Sequence, residues 1–419
     1  MSARSKATIS RRKNLVKAHQ ATRKNPKMLD ARQLAFSILV TGSQPGKIEE
    51  ALLWNDIELP PLKELNAAMH EVCDRIISMA EHSMQRIRDS INSEIVISFD
   101  GSWEHRRNSS RCLFTVIEQK SKQVLDCVVI SRKVPKDDPT FCLQPNQMEA
   151  KGLSRIIERL KGNKWITAYV HDNDAKARSM IRKAKWNIRE ILDSGHCFKA
   201  FERKFQKLKA GHKGIFDDIE EPLKKWLRTV IKSGRDPATK GKMWTDCIHH
   251  LMGDHRLCDH GSKEYPVWRY SDNTKAVELL KEFLEKTKFI CETVSHDYTT
   301  QSNESFHLLK LRYATKDIKW GFTWGARMRC AVLDRNWPHW KEFLYDWMGL
   351  PPLNGVIRTK LRRDEEERLR RREFVRSEEY IRQQFEWRKN WKDRLKALMR
   401  DEDPAGKKLA YKRNPYKRK

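Results

Sequence analysis

The sequence lacks any uninterrupted stretch of about 18 apolar residues, which a membrane-spanning helix would need. Its first residues are polar and basic, unlike a secretory signal. No Gly-x-x-x-x-Gly-Lys-Ser/Thr motif is present, which argues against an ATP site of the P-loop type. Nine cysteines, an odd number scattered over 419 residues, disfavour a disulfide framework and leave free thiols or metal ligands. We therefore expect a soluble intracellular protein without a membrane partner.

Acidic residues are scarce relative to basic ones. The chain has 85 Lys plus Arg against 56 Asp plus Glu, a formal net charge of +29. An excess this large indicates a polyanionic partner, and nucleic acid is the first candidate. Basic clusters near both ends, "SRRKNLVKAHQATRKNPK" and "KKLAYKRNPYKRK", suit phosphate contact or nuclear import.

Charge and hydrophobic periodicity predict several segments, and the length allows two or three domains or one domain with large insertions. The N-terminal helical module is equally consistent with packing and with binding of DNA ends. The predicted segments are a basic disordered arm (1–28), a helical N-terminal module (29–92), the first part of an α/β core (93–204), an all-α insertion domain (205–294), a Glu-bearing helix with closing helices (295–352), and a charged helix with a basic tail (353–419).

The predicted core begins with three short β-branched runs. "EIVISFDGSWE", "RCLFTVIEQ" and "KQVLDCVVIS" indicate an antiparallel meander. "QMEAKGLSRIIERL" then predicts an amphipathic helix, "KWITAYVHD" a buried strand, and "AKARSMIRKAKW" another helix. This is the element order of an RNase H-like core, although other mixed α/β folds share parts of it. The expected fold class is therefore α/β (α+β).

Two of the predicted strands end in an acid. Asp100 follows Ser98 on one face of the first strand, and Gly101 next to it leaves room for an approaching ligand. Asp172 follows the fourth strand in phase with Val170. If these strands are neighbours, both carboxylates meet at one edge of the sheet. The alternative is ordinary, since a single Asp at a strand end is more often a turn or cap residue.

A third acid lies on a predicted helix, "TTQSNESFHLLKLR". Thr300, Ser302 and Asn303 are all small polar residues that can cap its start. Glu304, Leu308 and Leu311 fall at i, i+4 and i+7, so the carboxylate is expected to point towards the core in line with an apolar stripe. Three nearby carboxylates repel one another unless divalent cations neutralise them. Two Mg²⁺ or Mn²⁺ ions fit, because hard ions prefer oxygen ligands and leave positions open for phosphate.

Four blocks of the sequence resemble the Mutator-like transposases. "VISFDGSWEHRRNSS" is similar to their first-acid block, "QMEAKGLSRIIERL" to a Met-Glu-Ala helix, "YVHDNDAKA" to the second-acid block, and "TQSNESFHLLKLRYATK" to the third. The resemblance implies an RNase H-like core with a DDE triad of Asp100, Asp172 and Glu304 that binds two Mg²⁺ or Mn²⁺ ions. Asp174 also matches a family Asp, and strand phase favours Asp172 as the second ligand.

The resemblance extends to a Cys or Asp that precedes a His by three positions, matched here by Asp193 and His196. It implies that His196 orients the scissile phosphate or holds the insertion against the site, and a purely structural histidine is the alternative. The chain departs from the family pattern at Asn173, where Gly is usual, and at His307, where Asn is usual.

A second candidate metal site lies in "GDHRLCDH", where His255, Cys258 and His260 provide three of the four ligands that a structural zinc needs. The family has a similar His-x-x-Cys followed by a Trp, matched by Trp268. The alternative is a histidine-rich loop near DNA.

Two further hypotheses concern the C-terminal part. The tryptophans between 320 and 347 either pack in a core or stack on bases. A long charged helix is predicted from about 357.

These patterns and the resemblance together predict a cut-and-paste DNA transposase. Its expected partners are the terminal inverted repeats of a transposon, target DNA, and at least one further copy of the chain. It is expected in the nucleus. Two alternatives keep the fold: a domesticated DNA-binding protein without activity, and an RNase H-like nuclease that cuts without strand transfer.

Overall fold

The computed structural model describes residues 27–55, 57–172, 174–254, 267–295 and 297–400. The chain forms two compact units, Met1–Trp340 and Lys341–Lys419. The predicted zinc ligands His255, Cys258 and His260 lie outside the described residues, as do the basic tail and most of the basic arm. Within the described ranges, no helix is both long and apolar enough to cross a membrane.

A five-stranded mixed sheet organises the first unit, in the order β5-β4-β3-β6-β7. β3, β4 and β5 form the predicted antiparallel meander, whereas β3, β6 and β7 run parallel. β3 therefore lies beside β6, which is the condition for Asp100 and Asp172 to meet at one edge of the sheet. The strands are β1 (Lys27–Met28) and β2 (Ile57–Glu58), a separate parallel pair, then β3 (Ile95–Trp103), β4 (Arg111–Glu118), β5 (Val124–Ser131), β6 (Ile166–His171) and β7 (Arg189–Leu192).

Helices of the first unit pack on this sheet, and two single 3-10 turns at Pro145–Gln147 and Gly321–Thr323 precede two of the helices. In chain order the helices are α1 (Ala31–Val40), α2 (Pro45–Trp54), α3 (Leu62–Asp89), α4 (Met148–Leu160), α5 (Ala175–Lys183), α6 (Ser194–Gly211), α7 (Glu220–Lys232), α8 (Pro237–Thr245), α9 (Cys247–Leu251), α10 (Thr274–Thr293), α11 (Gln301–Lys310), α12 (Trp324–Asn336), α13 (Trp340–Trp347), α14 (Gly355–Arg376) and α15 (Glu378–Arg400).

The two faces of the sheet carry different contacts. On one face Ile97, Phe99 and Phe114 join residues of α4 and α5 in one apolar cluster. α4 approaches closely because Gly152 has no side chain: a Cβ there would lie 2.6 Å from Phe114 Cβ. On the opposite face α11 packs over β3 and β4, while α3 and α12 contact β5. The sheet is thus covered by helices on both faces.

β7 is a strand that the sequence analysis missed. Its sequence, "REIL", is four residues long and begins with two charged side chains, so it shows no strand periodicity. It forms because β6 offers a parallel partner and because Leu192 makes an isolated bridge to Val294 at the end of α10. This extra strand places α6 at the same edge of the sheet as the ends of β3 and β6.

Helices α6 to α10 follow β7 and share an apolar core of their own. The indole of Trp244 donates to Leu284 O at 3.1 Å, and that of Trp268 donates to Ile215 O at 3.1 Å. Trp268, the residue expected near a zinc site, is 2% exposed and stacks on Phe216. Its visible role is packing.

Two hypotheses about the C-terminal part have clear outcomes. The packing hypothesis is confirmed for Trp324 and Trp340, which are each 1% exposed. The single long helix from about 357 was a wrong prediction, because Ser377 is extended and separates α14 from α15. The Ser377 hydroxyl donates to Phe374 O and accepts from Tyr380 N, so it ends one helix and begins the next.

Candidate active site

Asp100 lies within β3 rather than at its end, because the strand continues to Trp103. It pairs with Thr115 of β4. Its Oδ1 accepts a hydrogen bond from Gly101 N at 2.7 Å, and its side chain is 42% exposed. The carboxylate is therefore oriented by the backbone and still reaches open space.

Asp172 immediately follows β6 and is exposed. Ser98 of β3 pairs with Val170 of β6, so two residues further along each strand Asp100 and Asp172 occupy neighbouring positions at one sheet edge. Asp174, the alternative second acid, caps α5 through an Oδ1 contact of 2.8 Å with Lys176 N. This cap already engages one oxygen of Asp174, which favours Asp172 as the acid available for chemistry.

A cavity of about 280 Å³ opens at this edge. Asp100, Asp172 and Asp174 line it, together with Glu149 and Lys176. Glu304 and His196 are not among its lining residues. The cavity is therefore lined by two of the three predicted triad acids, by the alternative second acid Asp174, and by one acid that was not predicted, Glu149.

Glu149, in the first turn of α4, is the site residue that the sequence analysis missed. A Cβ at Gly101 would lie 2.4 Å from Glu149 Cγ, so the room left by that glycine admits Glu149 rather than a ligand. Burial raises the pKa of Glu149, although a hydrogen bond with Trp103 opposes the shift. The available signal was its place in the block "QMEAKGLSRIIERL", at the start of a helix that follows the meander.

The expected orientation of α11 was wrong. Glu304 is exposed rather than directed into the core, and Leu308 is 69% exposed. The buried side of α11 carries Asn303, Phe306 and Lys310 instead. The reason lies beneath the helix: at this point β3 presents Ser98, a polar side chain that requires a hydrogen-bonding partner.

Asn303 supplies that partner. Ser98 Oγ donates to Asn303 Oδ1 at 2.5 Å and accepts from Gln119 Nε2 at 2.6 Å. Asn303 is fully buried and is adjacent to Glu304 in the chain. The backbone that carries Glu304 is thereby attached to the strand that carries Asp100.

Two basic groups of α11 also lie near Asp100, and of these Lys310 is buried and His307 is partly buried. His307 Nδ1 lies 3.5 Å from Asp100 Oδ2, and burial followed by the nearby Lys310 and Lys316 lowers the pKa of His307 to about 3. Lys310 Nζ lies 3.5 Å from Trp103 O, and burial lowers its pKa to about 7. Neither group is therefore a fixed positive charge at neutral pH.

The pKa of Asp100 is raised to about 7, first by burial and then by the negative charges of Asp172, Glu149 and Glu304. The three predicted acids thus share one electrostatic neighbourhood. In the described parts of the chain, however, no three Asp, Glu, His or Cys side chains already form a group that could hold a metal ion. The donor set still suits hard divalent cations, because it consists of carboxylate oxygens whose mutual repulsion a cation would relieve.

His196 lies in the first turn of α6, beside its predicted companion Asp193. Asp193 Oδ1 lies 3.1 Å from His196 Nδ1 and accepts from His196 N at 3.0 Å. Burial alone would raise the pKa of Asp193, but hydrogen bonds from the backbone N–H groups of Thr300 and His196 lower it overall. The carboxylate therefore stays ionised and holds the imidazole by one ring nitrogen.

Residues 7–265 match a family model described as Mutator-like transposase. The matched range contains Asp100, Asp172 and His196, whereas Glu304 lies beyond it. No curated protein matched the chain.

Proposed function

The chain belongs to the Mutator-like transposase family, because the match covers more than half of its length, and from this we propose that it cleaves transposon ends and joins them to target DNA. In this proposal Asp100, Asp172 and Glu304 form the DDE triad on an RNase H-like core. The observed succession of three strands, a helix, a strand and a helix supports that core.

The observation that carries the proposal is the gathering of acids at the sheet edge, where Asp100 and Asp172 occupy neighbouring positions and line one cavity with Glu149. Burial is the main cause of the raised pKa of Asp100, and the negative charges of Asp172, Glu149 and Glu304 add to it. Folded proteins rarely gather acids without a compensating partner, so such a cluster indicates a functional site. In a family of DNA-processing enzymes, the matching chemistry is phosphodiester cleavage and transfer.

We propose that Asp100, Asp172 and Glu304 would hold two Mg²⁺ or Mn²⁺ ions, with Glu149 close by. When bound, such ions would supply activation of the attacking water or 3′-hydroxyl and stabilisation of the leaving oxygen of a phosphodiester. The chain's own residues prepare the site: the backbone N–H of Gly101 orients Asp100, and Ser98 positions the helix of Glu304 through Asn303. His307 contacts Asp100 without neutralising it, because its lowered pKa keeps the imidazole uncharged.

The DNA partner is supported by a basic surface on α6. Lys199, Arg203 and Lys207 recur at i, i+4 and i+8, are exposed, and form no ion pair with any described acid. By contrast, Lys209 and Lys224 of the same region both pair with Glu220, at 2.7 and 2.8 Å. The row of free cations begins beside His196, at the active edge, and suits the phosphate backbone of DNA.

Three further parts of the proposal concern assembly, ligands and location. Pairing of two transposon ends requires at least a dimer of the chain. His255, Cys258 and His260 are proposed zinc ligands on the basis of their spacing. A nuclear location is proposed from the basic clusters near both ends.

A plasmid assay with a labelled transposon end tests the proposed function. We expect the wild-type chain with Mg²⁺ or Mn²⁺ to join the end to new DNA, and Glu304→Gln to lose this joining while it still binds the end. Joining that persists in Glu304→Gln would contradict the assignment of the third acid.

The inactive DNA-binding alternative is supported by one observation, the lack of a ready-made metal-binding group among the described residues. The same assay separates the possibilities. A binding-only protein shifts the mobility of the DNA without cutting it, and a nuclease nicks the DNA without joining it. A transposase both cuts the transposon end and joins it to new DNA.

A further inference from the structure

Asp193 joins two helices that are far apart in the sequence. It lies between β7 and α6 and is 5% exposed. Its Oδ1 accepts from His196 N at 3.0 Å, at the start of α6. Its Oδ2 accepts from Thr300 N at 2.8 Å and from Thr300 Oγ1 at 3.2 Å, at the start of α11. One carboxylate thus satisfies donors at the N-termini of both helices.

This arrangement differs from three other aspartate caps in the described parts of the chain. Asp30, Asp174 and Asp236 each accept from the helix that directly follows them. Asp193 does this for α6 and also reaches Thr300, 107 positions away. A negative charge between two helix N-termini is stabilised by both helix dipoles and by the unpaired N–H groups of both first turns.

Thr300 connects this carboxylate to Glu304. Thr300 is the N-cap residue of α11, but its hydroxyl donates to Asp193 and does not cap its own helix. Its carbonyl accepts from Glu304 N at 3.2 Å. α11 has only 10 residues, and its one fully buried apolar side chain, Phe306, lies beyond the first turn. The first turn itself buries only the polar residues Ser302 and Asn303. The position of its first turn therefore depends on the polar attachments at Thr300 and Asn303.

We propose that Asp193 is a positioning residue that holds the first turn of α11, and with it Glu304, at the active edge of the sheet. The inference rests on the proposed role of Glu304 as the third acid. The same carboxylate engages His196 Nδ1, which leaves Nε2 as the ring nitrogen for another partner. Asp193 thereby fixes the start of α6, which carries His196, relative to the start of α11, which carries Glu304.

Hydrogen exchange tests the attachment without any activity measurement. We expect Asp193→Ala to speed amide exchange in 301–310 and at the start of α6 by roughly tenfold, the usual order for loss of a helix cap. Asp193→Asn keeps one acceptor oxygen and should give a smaller effect. Asp236→Ala, which removes a cap of α8 alone, should speed exchange in 237–245 and leave 301–310 unchanged. Unchanged protection of 301–310 in folded Asp193→Asn and Asp193→Ala would overturn the proposal.

Mn²⁺ titration calorimetry on the same proteins tests the consequence for the site. We expect Asp193→Asn to weaken Mn²⁺ binding by about 10- to 100-fold, as for other residues that support metal ligands, while its affinity for DNA stays near that of the wild type. Asp236→Asn is the matched control and should bind Mn²⁺ like the wild type.

Glu304→Gln separates the two ideas in that titration. If Glu304→Gln loses Mn²⁺ affinity and Asp193→Asn does not, the positioning role of Asp193 is overturned and the proposed function stands. If Glu304→Gln binds Mn²⁺ normally, the proposed function loses its third ligand. Faster exchange in 301–310 would then still support the attachment by Asp193.

Discussion

The two sides of strand β3 are built from opposite chemistry. Ile97 and Phe99 face α4 and α5 within an apolar cluster, whereas Ser98 on the other side contacts Asn303 of α11. Apolar burial is non-directional and tolerates small shifts, while a hydrogen bond fixes the positions of its atoms. The comparison teaches that the apolar side stabilises the sheet, and that the polar side determines where Glu304 stands relative to Asp100.

Helix α6 repeats this division on a smaller scale. Phe201 and Phe205 are fully buried in the core shared by α6 to α10. Lys199, Arg203 and Lys207 lie exposed on its outer side. In both places the side that holds the fold together and the side proposed to act on DNA belong to one secondary-structure element. Substitutions on the two sides should therefore affect different measurements.

The largest expected effect is on the polar side of β3. Asp100→Asn should reduce cleavage and joining by at least about 10³-fold, the upper range for loss of one group that stabilises the transition state. Initial rates in the plasmid assay measure this. The same variant should bind transposon-end DNA normally, and an active Asp100→Asn would remove this acid from the mechanism.

The pH dependence of stability checks the same residue. The folded pKa of Asp100, about 7, lies above its ordinary value, so the folded state binds the proton more tightly than the unfolded state. Without divalent cations, ionisation of Asp100 should cause a loss in the free energy of unfolding of the wild type, and this loss should grow as pH rises from about 4 towards 7. Asp100→Asn should lack that loss and be the more stable protein at pH 8, as measured by urea denaturation.

The apolar side should show the next largest effect, and on stability alone. Ile156 of α4 is fully buried in the cluster beneath β3. Ile156→Ala should lower the free energy of unfolding by about 2–5 kcal/mol, the usual cost of removing a large aliphatic core side chain. Activity per folded molecule should stay near the wild-type value. A folded Ile156→Ala protein that is inactive would show that the apolar side also determines activity, and would contradict the division between the two sides.

A smaller effect is expected from the outer side of α6. Replacement of Lys199, Arg203 and Lys207 by Gln should flatten the slope of log affinity for DNA against log salt by about 2.7, if each contacts one phosphate of duplex DNA. Lys242, Lys275 and Lys281 are exposed elsewhere on α8 and α10 and provide a control that removes the same charge. Equal slopes for the two triple variants would indicate a general charge effect rather than a DNA-binding surface.

The smallest effect concerns Lys310, on the buried side of α11. Burial lowers its folded pKa to about 7, below the ordinary lysine value, so protonation disfavours the folded state. Wild-type stability should therefore rise as pH increases from about 7 towards 10. Lys310→Met should be more stable than the wild type at pH 6, and this advantage should shrink by pH 10. A constant difference across that range would mean that the lysine does not titrate in the folded protein.

Local patterns predicted a substantial part of this molecule. The three strands of the meander, β6 and the helix that begins at Met148 all form where alternation and helical periodicity placed them. The adjacency of Asp100 and Asp172 followed from strand phase once β3 and β6 were neighbours. These predictions succeeded because each depends on side chains a few residues apart, which share a face through backbone geometry alone.

Other features depend on partners that no local pattern reveals. α11 was predicted to bury the face of Glu304 and Leu308, because leucines usually face the core. It buries Asn303 instead, because Ser98 across the interface needs a hydrogen bond. Glu149 was missed as a site residue because only the approach of α4 to Gly101 brings it beside Asp100.

The sequence by itself determined the α/β character, the excess of basic charge and the positions of the acids along the chain, since these follow from composition and short-range periodicity. Tertiary structure alone decided which side of α11 meets the sheet, that β7 exists, and that Asp193 serves two helices. The physical reason is distance along the chain: Thr300 lies 107 positions from Asp193 and Asn303 lies 205 from Ser98, so these hydrogen bonds form only after the surrounding elements have packed.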